Sequence, residues 1–99
     1  MKAKISIEWL ERMSAALRVL AHPHRLKIIE LLEDEGLATV SRIHTALRLP
    51  QAVTSQHLGQ MKRVGILIST RKGKEVWYEI ADSRALTILD CMRKKEKLA

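Results

Sequence analysis

The sequence predicts a mainly α fold completed by one two-stranded β-hairpin (α+β), in the order ααααββα, within a single domain spanning residues 1–99. Three observations predict it. Apolar side chains recur at three- and four-residue steps through the N-terminal half. Two short helical patterns meet at Leu49-Pro50, where a proline ends one and opens the next. Two stretches with strand character then flank Lys72-Gly73-Lys74, a turn-forming tripeptide.

Each element follows from its own residues. Ile5, Trp9, Met13, Ala16, Leu17 and Leu20 mark a first helix from Ile5 to Ala21. Pro23 fits the first turn of a second helix, whose Leu26, Ile28, Ile29, Leu31 and Leu32 run to a stop at Gly36. Thr39 caps a short third helix ending near Leu47. Pro50 opens a fourth that reaches about Val64 and stops at Gly65. Ile66–Arg71 reads as a strand, and Val76, Tyr78 and Ile80 alternate with Trp77 and Glu79 in a second. Asp82 or Ser83 caps a last helix carrying Leu86, Leu89 and Met92, with a basic tail from Arg93 to Lys97.

The net charge is +7, and it is concentrated. Between Ser41 and Lys74 stand Arg42, Arg48, Lys62, Arg63, Arg71, Lys72 and Lys74, with no Asp or Glu among them. The remaining 65 residues carry eleven basic and eleven acidic side chains and so sum to zero. An acid-free block of this kind suits a polyanion, because each neutralised phosphate releases condensed counterions. A membrane surface would want a long basic amphipathic helix or a lipid anchor, and the sequence offers neither. Two short helices joined by a tight turn and followed by a basic hairpin make a winged helix-turn-helix. The expected partner is double-stranded DNA, the expected location the cytoplasm, and no membrane association is foreseen. Cys91 is the only cysteine, which rules out an intrachain disulfide.

The order of motifs also resembles a known family. Ala21-His22-Pro23-His24-Arg25-Leu26-Lys27-Ile28-Ile29 is similar to the second helix of the ArsR/SmtB repressors. Gln51-Ala52-Val53-Thr54-Ser55-Gln56-His57-Leu58 resembles their recognition helix, and Val64-Gly65-Ile66-Leu67, Arg71-Lys72-Gly73-Lys74 and Val76-Trp77-Tyr78 resemble their wing. The resemblance implies a homodimer built on the first and last helices that represses a promoter until a signal releases it. It also exposes departures. Where thiolate metal sensors of the family carry two cysteines, this chain has Thr39 and Ser41. Of the ligand positions on the last helix only Asp82 matches, with Arg84, Lys95 and Leu98 at the others. A hydroxyl is a poor soft-metal ligand and an ammonium cannot bind a cation. Persulfide sensing needs a cysteine pair that Cys91 alone does not provide. The expectation is a repressor lacking the family's usual metal ligands, with no metal site and no cofactor.

Candidate DNA contacts follow from a helical wheel of the fourth helix. Thr54, Leu58 and Met61 fall on the core side; Ala52, Ser55, Gln56, Gly59 and Arg63 fall opposite, with Gln51 at the helix start. Gln51 and Gln56 suit adenine edges, Ser55 a base or phosphate, Ala52 a thymine methyl, and Gly59 close backbone approach. Arg71, Lys72 and Lys74 on the hairpin suit phosphate or the minor groove, and Arg42, Arg48 and Lys62 are further phosphate contacts. The resemblance aligns His57 with a packing position, so it reads as a hydrogen-bonded structural histidine ahead of a base reader. His22 and His24, two apart, belong to different faces if both are helical, and neither they nor His44 has ligand spacing to a cysteine. Trp9, Met13, Leu17, Leu86, Leu89 and Met92 exceed what one thin core uses and are expected at a dimer interface.

Other classes fare worse. There is no glycine-rich phosphate loop, nucleophile elbow or paired carboxylate set, so an enzyme is not expected. Phe is absent and only Trp9, Trp77 and Tyr78 are aromatic, which leaves no stacking platform for single-stranded RNA. Two alternatives stay open: a winged-helix protein-interaction module, and a thiol-responsive regulator acting through Cys91.

Overall fold

In a computed structural model, which describes residues 2–98 and the side chains of residues 2–94, five helices and a small sheet share one core. The elements are α1 (Ile7–Leu20), α2 (Pro23–Glu35), β1 (Ala38–Thr39), α3 (Val40–Leu47), α4 (Gln51–Arg63), β2 (Leu67–Lys72), β3 (Glu75–Ile80) and α5 (Arg84–Leu98). The sheet is antiparallel with strand order β1-β3-β2. The side chains of Lys95 and Leu98 lie outside those described.

Local chemistry sets the boundaries. α1 starts two residues later than the apolar spacing suggests, because the Ser6 side chain accepts from the Trp9 amide and caps the helix there. Ile5 is left outside it, and exposed. Pro23 sits at the first turn of α2, and Gly36, at φ +77°, closes it. Thr39 caps α3 by accepting from the Arg42 amide at 3.1 Å. Pro50 stands just before α4 rather than inside it. At the start of α5 the Asp82 carboxylate accepts from the Arg84 amide at 3.0 Å.

The hairpin has the expected place, its first strand begins and ends one residue later than the sequence suggests, and Leu67 pairs with Ile80 and Lys72 with Glu75. Its two-residue turn, Gly73-Lys74, carries φ +63° at Gly73, as turns matched to strand twist demand. The sheet has a third strand that the sequence does not announce. Ala38 and Thr39 pair with Tyr78 and Trp77. Two residues show no alternation, so this strand exists only because β3 offers it an edge.

Ile28, Ile29, Leu32, Ile43, Leu58, Met61, Ile66 and Leu67 are fully buried and join every layer, from α2 through α3 and α4 to β2. α4 is therefore held on its inner face by Thr54, His57, Leu58 and Met61, which fixes what its outer face presents.

Candidate nucleic-acid interface

The outer face of α4 is as the wheel places it: Gln51, Ala52, Ser55, Gln56, Gly59, Lys62 and Arg63 are all exposed. At Gly59 an added Cβ would meet no atom within 4 Å, so the helix surface is open there. Gln51 and the wing's Lys74, Glu75 and Val76 line one recess together with Thr39, Val40 and Ser41, so the first turn of α4 stands across a groove from the hairpin tip. At 1.5 Å per residue, Arg63 lies about 18 Å along the helix from Gln51. The two ends of α4 therefore address different parts of any bound surface.

The basic side chains are not equally free. Arg71, Lys72 and Lys74 are exposed on the wing. Lys72 stands 5.9 Å from the centre of the Trp77 ring, and Arg71 donates through Nε to the carbonyl of Gly73 at 3.3 Å. Arg48 is exposed at the α3–α4 turn with φ +57°. Arg42 differs: its guanidinium donates to both Glu35 carboxylate oxygens, the shortest contact being 2.7 Å. That bond holds the Glu35 carboxyl below its ordinary range and raises Arg42. An acid outside the basic block thus offsets one of the block's seven charges.

α1 and α5 leave an apolar face, which reaches the end of α4 at Val64 and Gly65. Trp9, Leu10, Leu17 and Met92 are exposed, and Met13 and Leu86 half-buried. Two guanidinium groups approach the Trp9 ring, Arg12 at 5.0 Å and Arg84 at 4.9 Å from its centre. Leu89 behaves otherwise. It is 8% exposed and belongs to the protomer's own core, because the α5 turn that carries it packs onto Pro23 and Leu26 of α2. Cys91 is exposed on α5.

One grouping escaped sequence reasoning. His22 is not helical; it is the cap residue of α2, in extended backbone, and its Nδ1 accepts from the His24 amide at 3.1 Å. His22 and His24 are therefore not held on different helix faces. The rings of His22 and His24 lie 5.3 Å apart, and His57 of α4 comes within 4.6 Å of His22 and 6.0 Å of His24. His57 is buried, and its Nδ1 accepts from Arg25 Nε at 3.0 Å. Arg25 also donates through Nη1 to the carbonyl of Val19. Burial first, then the nearby His22, Arg25 and His24, hold the His57 ring below the ordinary imidazole range. His57 is thus the hydrogen-bonded structural histidine that the sequence led us to expect.

Known proteins share this arrangement. A helix-turn-helix domain family model matches residues 20–70. The chain is 37% identical over 86 residues to the transcriptional repressor PagR of Bacillus anthracis, covering 87% of this chain and 86% of that one. The crystal structure of PagR superposes with a TM-score of 0.80 at 33% identity, over 88% of this chain and 99% of the other. The chain is also 37% identical over 86 residues to the HTH-type transcriptional repressor SmtB of Mycobacterium tuberculosis, covering 86% of this chain and 63% of that protein. Matched in sequence over most of its length and in fold around the same helix pair and wing, the chain belongs to the ArsR/SmtB family of winged helix-turn-helix transcriptional repressors.

Proposed function

We propose that this protein is a homodimeric repressor that binds an inverted-repeat operator in double-stranded DNA, with α4 in the major groove and the β2–β3 wing on the flanking backbone. The observation that carries this reading is the acid-free outer face of α4 beside a wing that exposes Arg71, Lys72 and Lys74, with Gln51 and Lys74 sharing one recess in which Glu75 is the one acid. Gln51, Ala52, Ser55 and Gln56 are the base-reading set, since the first turns of a recognition helix enter the groove. Arg48, Lys62, Arg63, Arg71, Lys72 and Lys74 supply phosphate contacts. Arg42 joins them only by giving up Glu35. Half-site centres then lie about one helical turn apart, or a multiple of it.

The α1–α5 face supports the dimer. Trp9, Leu17 and Met92 are large, apolar and exposed on neighbouring helices, a pattern that a second copy would cover. Leu86 and Met13 fit the margin of that contact. No helix among the described residues is long and apolar enough to cross a membrane, and a cytoplasmic location is consistent with a DNA partner.

The test neutralises Arg63, Lys72 and Lys74 together as Gln. Operator affinity should collapse, and because the dimer carries each residue twice, the slope of log affinity against log salt should fall by about 5. Circular dichroism and melting should be unchanged. A triple variant that holds a promoter fragment as tightly as the parent would overturn the reading.

A further inference from the structure

We propose that His22, His24 and His57 form a binding site for a late first-row divalent cation, with zinc as the type ion. One ring nitrogen from each lies within 4.8 Å of the others. Three imidazoles from two separate segments, with a water as fourth ligand, make a familiar tetrahedral donor set for zinc.

The geometry needs only a small closure. Nitrogens sharing a tetrahedral zinc at 2.0–2.1 Å stand about 3.3 Å apart. His24 is exposed and His22 half-buried, so these two rings can close on the buried His57. The sequence separates His57 from the pair by more than thirty residues, and the turn before Pro23 brings them together.

Hydrogen bonding gives the site a consequence. His57 Nδ1 accepts from Arg25 Nε, so in the neutral ring the proton sits on Nε2. A cation at Nδ1 displaces Arg25 directly. A cation at Nε2 moves the proton to Nδ1, where two N–H donors would face each other. Either way the Arg25–His57 bond and the cation exclude one another. Arg25 keeps its bond to the Val19 carbonyl and swings its charge away. Filling the site therefore exchanges the Arg25 hydrogen bond between α2 and α4 for a metal link between the same helices, at the residue that anchors the helix presenting the outer face.

The test titrates tag-free full-length protein with Co²⁺, reading the visible absorption of a tetrahedral ion, and then displaces it with Zn²⁺. One equivalent per chain is expected. His24→Ala should weaken uptake about ten-fold or more and leave circular dichroism and metal-free melting unchanged, because His24 is a surface side chain. His22→Ala should do the same to uptake. Nitrogen-15 shifts of the His57 ring should move from an acceptor to a donor or metal-bound pattern at Nδ1. No tetrahedral cobalt spectrum, or equal uptake by the wild type and both variants, would overturn the site. An effect on DNA rests on the proposed function and is read separately. Zinc should change the duplex affinity of the wild type and not that of His24→Ala. If zinc binds and affinity does not change, the coupling is refuted; if the metal-free protein fails to bind duplex at all, the proposed function fails while the cobalt spectrum still judges the site.

Discussion

Arg25 Nε donates to His57 Nδ1 across 3.0 Å, and the same guanidinium reaches the Val19 carbonyl, so one side chain of α2 fastens the end of α1 to α4. His57 is buried, so Arg25 is the hydrogen-bond donor that its Nδ1 loses if that side chain is removed. Arg25→Ala should therefore destabilise the fold by about 1.5–3 kcal/mol, the range for a hydrogen bond to a charged group. Urea unfolding checks this, and a loss well below 1 kcal/mol would show that the strut is dispensable.

Thr54 presents the opposite case on the same helix. It is fully buried, and its hydroxyl has no hydrogen-bond partner among the described residues. An unpaired buried hydroxyl costs free energy that an apolar side chain of the same shape does not. Thr54→Val should leave stability unchanged or raise it by up to about 1 kcal/mol. A clear drop in the urea midpoint would mean that the hydroxyl is satisfied after all.

Arg48 is the one described non-glycine residue at positive φ, +57°, where it ends α3 in the left-handed region. A Cβ is unfavourable there by roughly 1 kcal/mol. Arg48→Gly should raise the melting temperature while weakening duplex binding through the lost charge. Measuring both on one protein separates the two effects, and a variant that melts lower would refute the strain argument.

Asp82 binds Arg84 through both carboxylate oxygens, at 2.8 and 2.6 Å, at the start of α5. Those bonds, first among the causes, lower the Asp82 carboxyl from its ordinary 3.8. The sign follows from linkage: stabilisation is complete above the unfolded value and disappears as pH falls through the lower folded one. Asp82→Asn should melt below the wild type at neutral pH, and the gap should narrow only below about pH 4. A gap constant through acid pH would remove the ion pair as its cause.

The exposed α1–α5 face gives the last prediction. Leu17→Glu with Met92→Glu should raise the dimer dissociation constant by at least about 100-fold, since each introduces a charge into an apolar contact. Sedimentation at several concentrations measures it. Wild-type protein that stays monomeric at high concentration would refute the dimer itself.

Most of the helix pair was legible because the residues that make it act locally. Pro23, Gly36, Thr39, Pro50 and Gly65 each fix a boundary within a residue or two of themselves. The outer face of α4 was legible for a related reason: a 3.6-residue period decides which side chains share a face wherever the helix is placed. What partners those faces meet is not local. Leu89 has the same spacing as Leu86 and Met92, yet it faces α2 within its own protomer.

The sequence by itself determined the five helices and the hairpin, their order, the acid-free block and the side chains that α4 turns outward, because caps, turns and periodicity operate over a few residues. Only the tertiary structure decided that Ala38–Thr39 becomes a third strand, that Glu35 claims Arg42, and that His22 and His24 meet His57. Each of those depends on residues distant in the chain reaching within a few ångströms of one another, which the packing of α2, α4 and the sheet around one core brings about.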